Sequence, residues 1–272
     1  MLEILHLLFL TVLFRPYVFI FLAVYLVAAF SQIGLARTVV FTLLGYSIAF
    51  LSEYSSTRIG FPYGFYSYIE TTRQQELWIS NVPFMDSLSY SFLSYCSFSL
   101  AIFLNRPIAR NNKNIKILNF EKGILQKSTL FYTPLLFVLL DVIIDPVALR
   151  GSRWFLGQIY HYHDHGLYFG VPLSNFAGWI IVGFCITYSF QLLNKRFYSE
   201  SSSKTIEIPY KDLLAPVLYF SVMLFNIFIA FYINEFFIGT CGLLIAGSIL
   251  MLFIKKIIQG NRDENSISGN NL

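Results

Sequence analysis

The sequence predicts an all-α fold: a polytopic membrane helix bundle of about seven transmembrane helices, preceded by a short interfacial helix at the amino terminus. Two observations lead there. Of 272 residues, 56 % are hydrophobic and only 12 % are charged, whereas soluble domains carry about 25 % charged residues. The charges are also segregated. Pro16–Ala36, Ser87–Asn105, Gly166–Asn194, Leu213–Asn234 and Phe236–Ile254 contain none, and each approaches the ~20 residues that cross a hydrocarbon core as a helix.

Taken in order, Leu2–Phe14 is apolar but short and ends at Arg15-Pro16. It has neither a basic leader nor a small-residue cleavage site, so it reads as an interfacial helix and not as a signal peptide. Pro16–Ala36 is the first span. Thr38–Tyr54, the second, is interrupted only by Glu53, and Ser128–Leu149, the fourth, only by Asp141 and Asp145. Residues 1–260 therefore read as one transmembrane domain, with 261–272 as a flexible cytoplasmic tail and Ser199–Lys204 as a solvated stretch. Cys96, Cys185 and Cys241 all fall in spans. An odd number of membrane-buried thiols reads as packing, not as a disulfide framework.

Basic residues set the expected orientation. Arg106, Arg110, Lys113, Lys116, Lys122 and Lys127 separate the third and fourth spans; Lys195, Arg196, Lys204 and Lys211 separate the fifth and sixth; Lys255, Lys256 and Arg262 follow the seventh. Such loops stay cytoplasmic, and Arg37, read as lying between the first two spans, falls on the same side. Their charge needs no nucleic-acid partner. The amino terminus is then expected outside and the carboxyl terminus inside the cytoplasmic membrane. Two long loops remain on the outer side, Ser55–Asn81 and Gly151–Gly170. They hold "GFPYGFYSY" and most of "YHYHDHGLYFGVPLSNFAGW", rich in Gly, Pro and aromatics, the kind of loop on which sites are built.

With this topology Glu53, Asp86, Asp141, Asp145 and Asn175 converge near the outer end of four helices, and no acidic residue is expected in the cytoplasmic half of any span. Pro146 is expected to end the fourth helix just after Asp145. Asp141 and Asp145, four residues apart, share one helical face. Two carboxylates so placed in low dielectric cannot both ionise cheaply, and one should keep a proton near neutral pH. Insertion of each costs about 2.5–3.5 kcal/mol, which marks them as candidates for chemistry unless Arg58, Arg73, Arg150 or Arg153 neutralises them. His161, His163 and His165, beside Asp164, suggest a metal, but their spacing matches no ligand pattern of the metallo-β-lactamases and the only other histidine is His6; they read as a polar loop. Aromatics make up 18 % of the chain, and ring faces suit a flat polyene or a carbocation.

"TRIGFPYGFYSY", "DVIIDPVALR" and "YFGVPLSNFAGW" resemble motifs of the integral-membrane carotenoid hydratases, the γ-carotene 1′,2′-hydratase and bisanhydrobacterioruberin hydratase group, over residues ~20–255. The matching positions are Gly60, Phe61, Pro62, Gly64, Asp141, Asp145, Pro146, Gly170, Val171, Pro172, Asn175 and Trp179; the insert Tyr160–His165 departs from the pattern. The resemblance implies a carotenoid biosynthesis enzyme that adds water across the terminal (1,2) double bond of an acyclic carotenoid end, giving a tertiary alcohol. It implies a lipophilic carotenoid substrate, other enzymes of the pathway as partners, and no cofactor. From the chemistry, Asp141 and Asp145 would protonate the alkene while Asn175, with Glu53 or Asp86, orients the water. Phe61, Pro62, Tyr63, Gly64, Tyr168, Gly170, Pro172 and Trp179 are expected to surround the substrate. A proton-coupled transporter or a non-catalytic carotenoid-binding protein are the competing readings.

Overall fold

Apolar residues in this chain are too many for one soluble core, and the backbone answers by hiding its own polar groups in helices. The structure is a computed structural model describing residues 2–111, 114–197 and 208–269. Seven helices are long and apolar enough to cross a membrane. After the short α1 (Leu2–Phe14) come α2 (Pro16–Ile33), α3 (Leu35–Ile59), β1 (Tyr66–Tyr68), β2 (Trp78–Ile79), β3 (Val82–Pro83), α4 (Phe84–Asn105), β4 (Ile108–Asn111), β5 (Asn114–Ile117) and the short α5 (Phe120–Ile124). The chain continues with α6 (Lys127–Ala148), β6 (Tyr160–Tyr162), α7 (Leu173–Phe197), α8 (Lys211–Tyr232) and α9 (Phe236–Gly269). Lys113 and Ser199–Lys204 lie outside the described residues.

Successive long helices alternate in direction. Tyr17, Glu53, Asp86, Asp145, Asn175 and Phe225 meet at one end, called here the carboxylate end; Gln32, Glu121, Lys122 and Lys211 meet at the other, the basic end. Among the described residues strands occur only as three two-stranded ribbons in the connections.

α4 is the axis of the bundle. It packs on α2, α3, α6 and α8, and nearly every residue from Met85 to Phe103 is buried. Small side chains let neighbouring backbones approach closely. Of the buried serine hydroxyls, Ser94 donates to Tyr90 O at 2.6 Å and Ser97 to Leu93 O at 2.8 Å within the helix, while Ser87, Ser91 and Ser99 donate to Glu53, Thr42 O and Gln32 on neighbouring helices. At the α3 crossing, a Cβ on Gly45 would lie 2.9 Å from Ser91 Cα.

Several expected boundaries move. α2 turns into α3 on Gly34 alone, whose φ of 79° suits a residue without Cβ. Arg37 is therefore not in a loop; it is buried in the first turn of α3 and donates to both oxygens of Glu121, at 2.7 and 2.6 Å. α6 does not stop before Pro146 but runs on to Ala148 and also contains Pro134. Proline deletes one helical N–H donor, here the one opposite Val142 O, and the helix continues past it to an end where Leu149 N bonds Asp145 O at 2.9 Å and Arg150 donates to Pro146 O at 2.9 Å. α7 starts at Leu173, inside the uncharged run and just past the outer loop, so Asn175 lies in its first turn as expected. Phe169 and Gly170 have left-handed φ values of 51° and 96°, and Pro172, whose carbonyl accepts from Asn175 N at 3.0 Å, marks the helix start.

The α3–α4 contact gives a direct prediction. Gly45→Leu should cost about 1–3 kcal/mol by overpacking, read as a lowered unfolding midpoint of the detergent-solubilised protein. An unchanged midpoint would show that α3 can shift away from Ser91 freely.

Candidate active site

The site is assembled by a ribbon that the sequence did not announce. β1 and β6 pair antiparallel, with Tyr66 opposite Tyr162, Ser67 opposite His161 and Tyr68 opposite Tyr160. Side chains alternate across a strand, so Tyr66, Tyr68, Tyr160 and Tyr162 all face the bundle, packed edge to face with centroids 5.3–6.2 Å apart. His161, His163 and His165 are exposed. His163 Nε2 lies 2.8 Å from Ser67 Oγ.

Beneath the ribbon lie the carboxyl groups. Asp145 accepts from the hydroxyls of Tyr160 and Tyr162, the latter at 2.7 Å, and from Asn175 Nδ2 at 3.0 Å. The same nitrogen donates to Asp141 at 2.6 Å, so one amide spans both members of the pair. Tyr68 donates to Asp86 at 2.6 Å, and Ser87 donates to Glu53. Burial first, then the adjacent Asp145, holds the Tyr162 phenol well above its ordinary pKa of 10.0; burial and then Asp86 do the same for Tyr68. Both stay protonated donors.

The arginines named as possible partners are engaged elsewhere. Arg58 bonds Asn81 at 2.8 Å, Arg73 pairs with Glu70 at 3.0 Å, and Arg150 and Arg153 both pair with Glu235. Among the described residues no arginine bonds Glu53, Asp86, Asp141 or Asp145.

These groups line a cavity of about 140 Å³. Its polar end is formed by the four carboxyl groups, Asn175 and the tyrosines. Its remaining wall is mostly apolar, with Phe21, Phe92, Leu93, Trp179, Val222 and Phe225, and with Ser89 and Asn226 as polar members. The cover over the polar end is fastened by one buried ion pair. Arg15, between α1 and α2, meets Glu76 through two 3.1 Å bonds, both side chains being about 1 % exposed or less. Arg15 also donates to Leu156 O at 2.6 Å, and Thr11 of α1 accepts from Leu77 N at 2.7 Å.

A family model described as "carotenoid biosynthesis protein" matches residues 13–248. The chain belongs to the carotenoid biosynthesis protein family. No curated protein and no solved structure matches it.

In this family member the five polar residues expected to converge do so: Glu53, Asp86, Asp141, Asp145 and Asn175 all line the one cavity. Of the expected substrate neighbours, Tyr63 and Trp179 reach it, Trp179 stacked on Tyr90 at 4.6 Å. Phe61 is 59 % exposed and stands outside it, as do Pro62, Gly64, Tyr168, Gly170 and Pro172. These last residues join the two loops. The cis Phe61–Pro62 bond and the left-handed Gly64 shape a turn against the start of α7, where Ser174 donates to Tyr63 O at 3.1 Å. The backbone there comes so near Gly178 that a Cβ would clash with Tyr63 and lie 2.9 Å from Pro62 O.

Sequence reasoning missed Tyr160, Tyr162, Tyr66, Tyr68 and Ser87. The alternation Tyr-His-Tyr-His held the signal: in a strand, if the histidines face water, the tyrosines face the bundle. It also missed an acid. The opposite half of the bundle does contain one, because α8 begins two residues earlier than its uncharged run. Asp212 is only 4 % exposed and accepts from Ile117 N at 2.7 Å and Gln32 Nε2 at 3.4 Å.

Removing one partner of a buried pair leaves an uncompensated charge, at about 3–5 kcal/mol. Glu76→Gln should destabilise the protein by that order, and the double variant Arg15→Met/Glu76→Leu should recover part of the loss in the same unfolding assay.

Proposed function

We propose that this protein hydrates the terminal 1,2 double bond of an acyclic carotenoid end. The observation that carries the reading is the cavity: carboxyl groups braced only by neutral donors at one end, aromatic and aliphatic walls at the other. Asp145 has three donors and is the anion of the pair. Asp141 shares one amide hydrogen bond and holds the proton. Asp141 transfers that proton to C2 of the alkene, leaving a tertiary cation at C1 next to the faces of Tyr90 and Trp179, where a ring quadrupole lowers its energy. A water held by Asp86 and Glu53 bonds to C1 and loses one proton to a carboxylate. The carboxyl groups together end with the protons they began with, and the net change is one added water. Positioning and acid–base catalysis supply the acceleration.

A transporter would need its carboxylates to exchange with both sides. Asp212 supplies an acid at the other end, but its carboxylate is tied to the main chain of β5. A purely binding protein would need the rings and not four carboxyl groups.

The orientation that fits the basic loops places the carboxylate end outside the cytoplasm, as a protein of the cytoplasmic membrane. Single cysteines at Ser67 and Lys122 should then react with an impermeant thiol reagent from opposite sides of the membrane. Labelling of both from one side would refute the topology.

Asp141→Asn keeps size and removes the acid, so hydration should fall by at least about 10²-fold while the protein still inserts. Asp145→Asn should do the same. Tyr162→Phe removes one donor to a charged group, about 1.5–3 kcal/mol, and should slow turnover tenfold or more. The assay is mass spectrometry of the carotenoid for gain of one water; Asn variants at both aspartates with undiminished product would eliminate the mechanism.

A further inference from the structure

A cavity of about 140 Å³ is close to the size that holds a single benzene ring, since an apolar hole of about 150 Å³ does so. A carotenoid end fits; a long polyene does not, and most of it must lie elsewhere. The polar end is closed by the tyrosine ribbon and by the Arg15–Glu76 clamp, where a hydrocarbon chain would strip hydrogen-bonded groups of water at a cost. The wall formed by α4 is buried deep in the bundle.

The side between α2 and α8 differs. Tyr17, Phe21, Trp154 and Phe225 line the cavity and are each only partly buried. Tyr17 and Phe225 lie nearly parallel, 17° apart with centroids at 5.7 Å, and Phe155, 59 % exposed, meets Tyr17 edge-on at 5.7 Å. Phe21 closes on Phe225 at 5.9 Å. Flat rings on both helices present faces suited to stacking on a conjugated chain, and rotamer changes of such partly exposed side chains occur in ps–ns.

We propose that the substrate's polyene passes sideways out of the cavity between α2 and α8, with Tyr17, Phe21 and Phe225 as the gate that stacks on it. The inference rests on the hydration reading for the identity of the chain, and it divides the traffic: hydrocarbon through the α2–α8 side, water through the ribbon side.

The test is photo-crosslinking by p-benzoylphenylalanine introduced at Phe225, at Phe21 on the facing helix, and at Phe228, which is 66 % exposed on α8 but outside the cavity wall. Membranes containing the full-length variant and a linear carotenoid are irradiated, and the adduct is quantified by mass. At least about tenfold more adduct is expected at 21 and 225 than at 228, the excess that a tenfold occupancy difference gives. Equal labelling at all three, or none at 21 and 225, overturns the route. Because the adduct reports occupancy and not turnover, hydration without labelling at 21 or 225 sinks this route alone. Labelling of the 21 and 225 variants, with a wild-type protein that adds no water, supports the route and sinks the hydration reading.

Discussion

A carboxylate inside a membrane bundle must be matched by a cation or by hydrogen-bond donors, because unpaired charge in low dielectric is prohibitively costly. This protein chooses donors without charge. Tyr160, Tyr162 and Asn175 serve Asp145, Asn175 also serves Asp141, Tyr68 serves Asp86 and Ser87 serves Glu53. The choice has a chemical consequence. An arginine would fix its partner as an anion, whereas a neutral donor leaves a neighbouring carboxyl free to hold a proton and to give it up.

Much of the surrounding architecture follows from having to deliver those donors. The tyrosines come from two loops about a hundred residues apart in sequence, so their positions depend on the register of β1 on β6. That register in turn depends on the two motif turns, Gly60–Gly64 and Gly166–Pro172, being locked on each other, which explains why residues expected to touch substrate serve as joints. Arg15 and Glu76 are the exception that supports the rule: among the described residues the one buried cation at this end is bidentate on its own carboxylate, and neither side chain lines the cavity. The charge is neutralised there and the four carboxyl groups keep their freedom.

The fold was largely legible because composition and charge segregation act over whole helices, and small errors in boundary do not alter a span. The five polar residues were legible for the same reason: topology alone brings the ends of alternate helices together. What stayed hidden depended on backbone detail. Nothing local in "FSQIGLAR" says that Gly34 suffices as the whole α2–α3 turn, so Arg37 was placed in a loop while it is buried on Glu121. Pro146 was read as a terminator because helices usually end before a proline, whereas α6 runs on to Ala148, its end closed by Leu149 N on Asp145 O and by the Arg150 side chain on Pro146 O. The tyrosines were overlooked because the histidines between them drew attention to metal chemistry; pairing partners of a strand are a long-range property that a single segment does not reveal.

The basic end shows that a buried acid does not by itself make a site. Asp212 receives the N–H of Ile117 and the amide of Gln32, and Gln32 Oε1 is filled by Tyr95 at 2.8 Å and Ser99 at 3.1 Å. The same residue types are present as at the carboxylate end, but the tyrosine bonds an amide instead of a carboxylate, and the acid holds a strand of the backbone. A proton on Asp212 Oδ2 would compete with the bond that ties β5 to α8. At the carboxylate end the acids hold only side chains, and the space they face is lined on its far side mostly by hydrocarbon. On the hydration reading an alkene and a water would meet an acid there without the fold having to move, and it is this difference in what each carboxylate holds that singles out the carboxylate end as the candidate site.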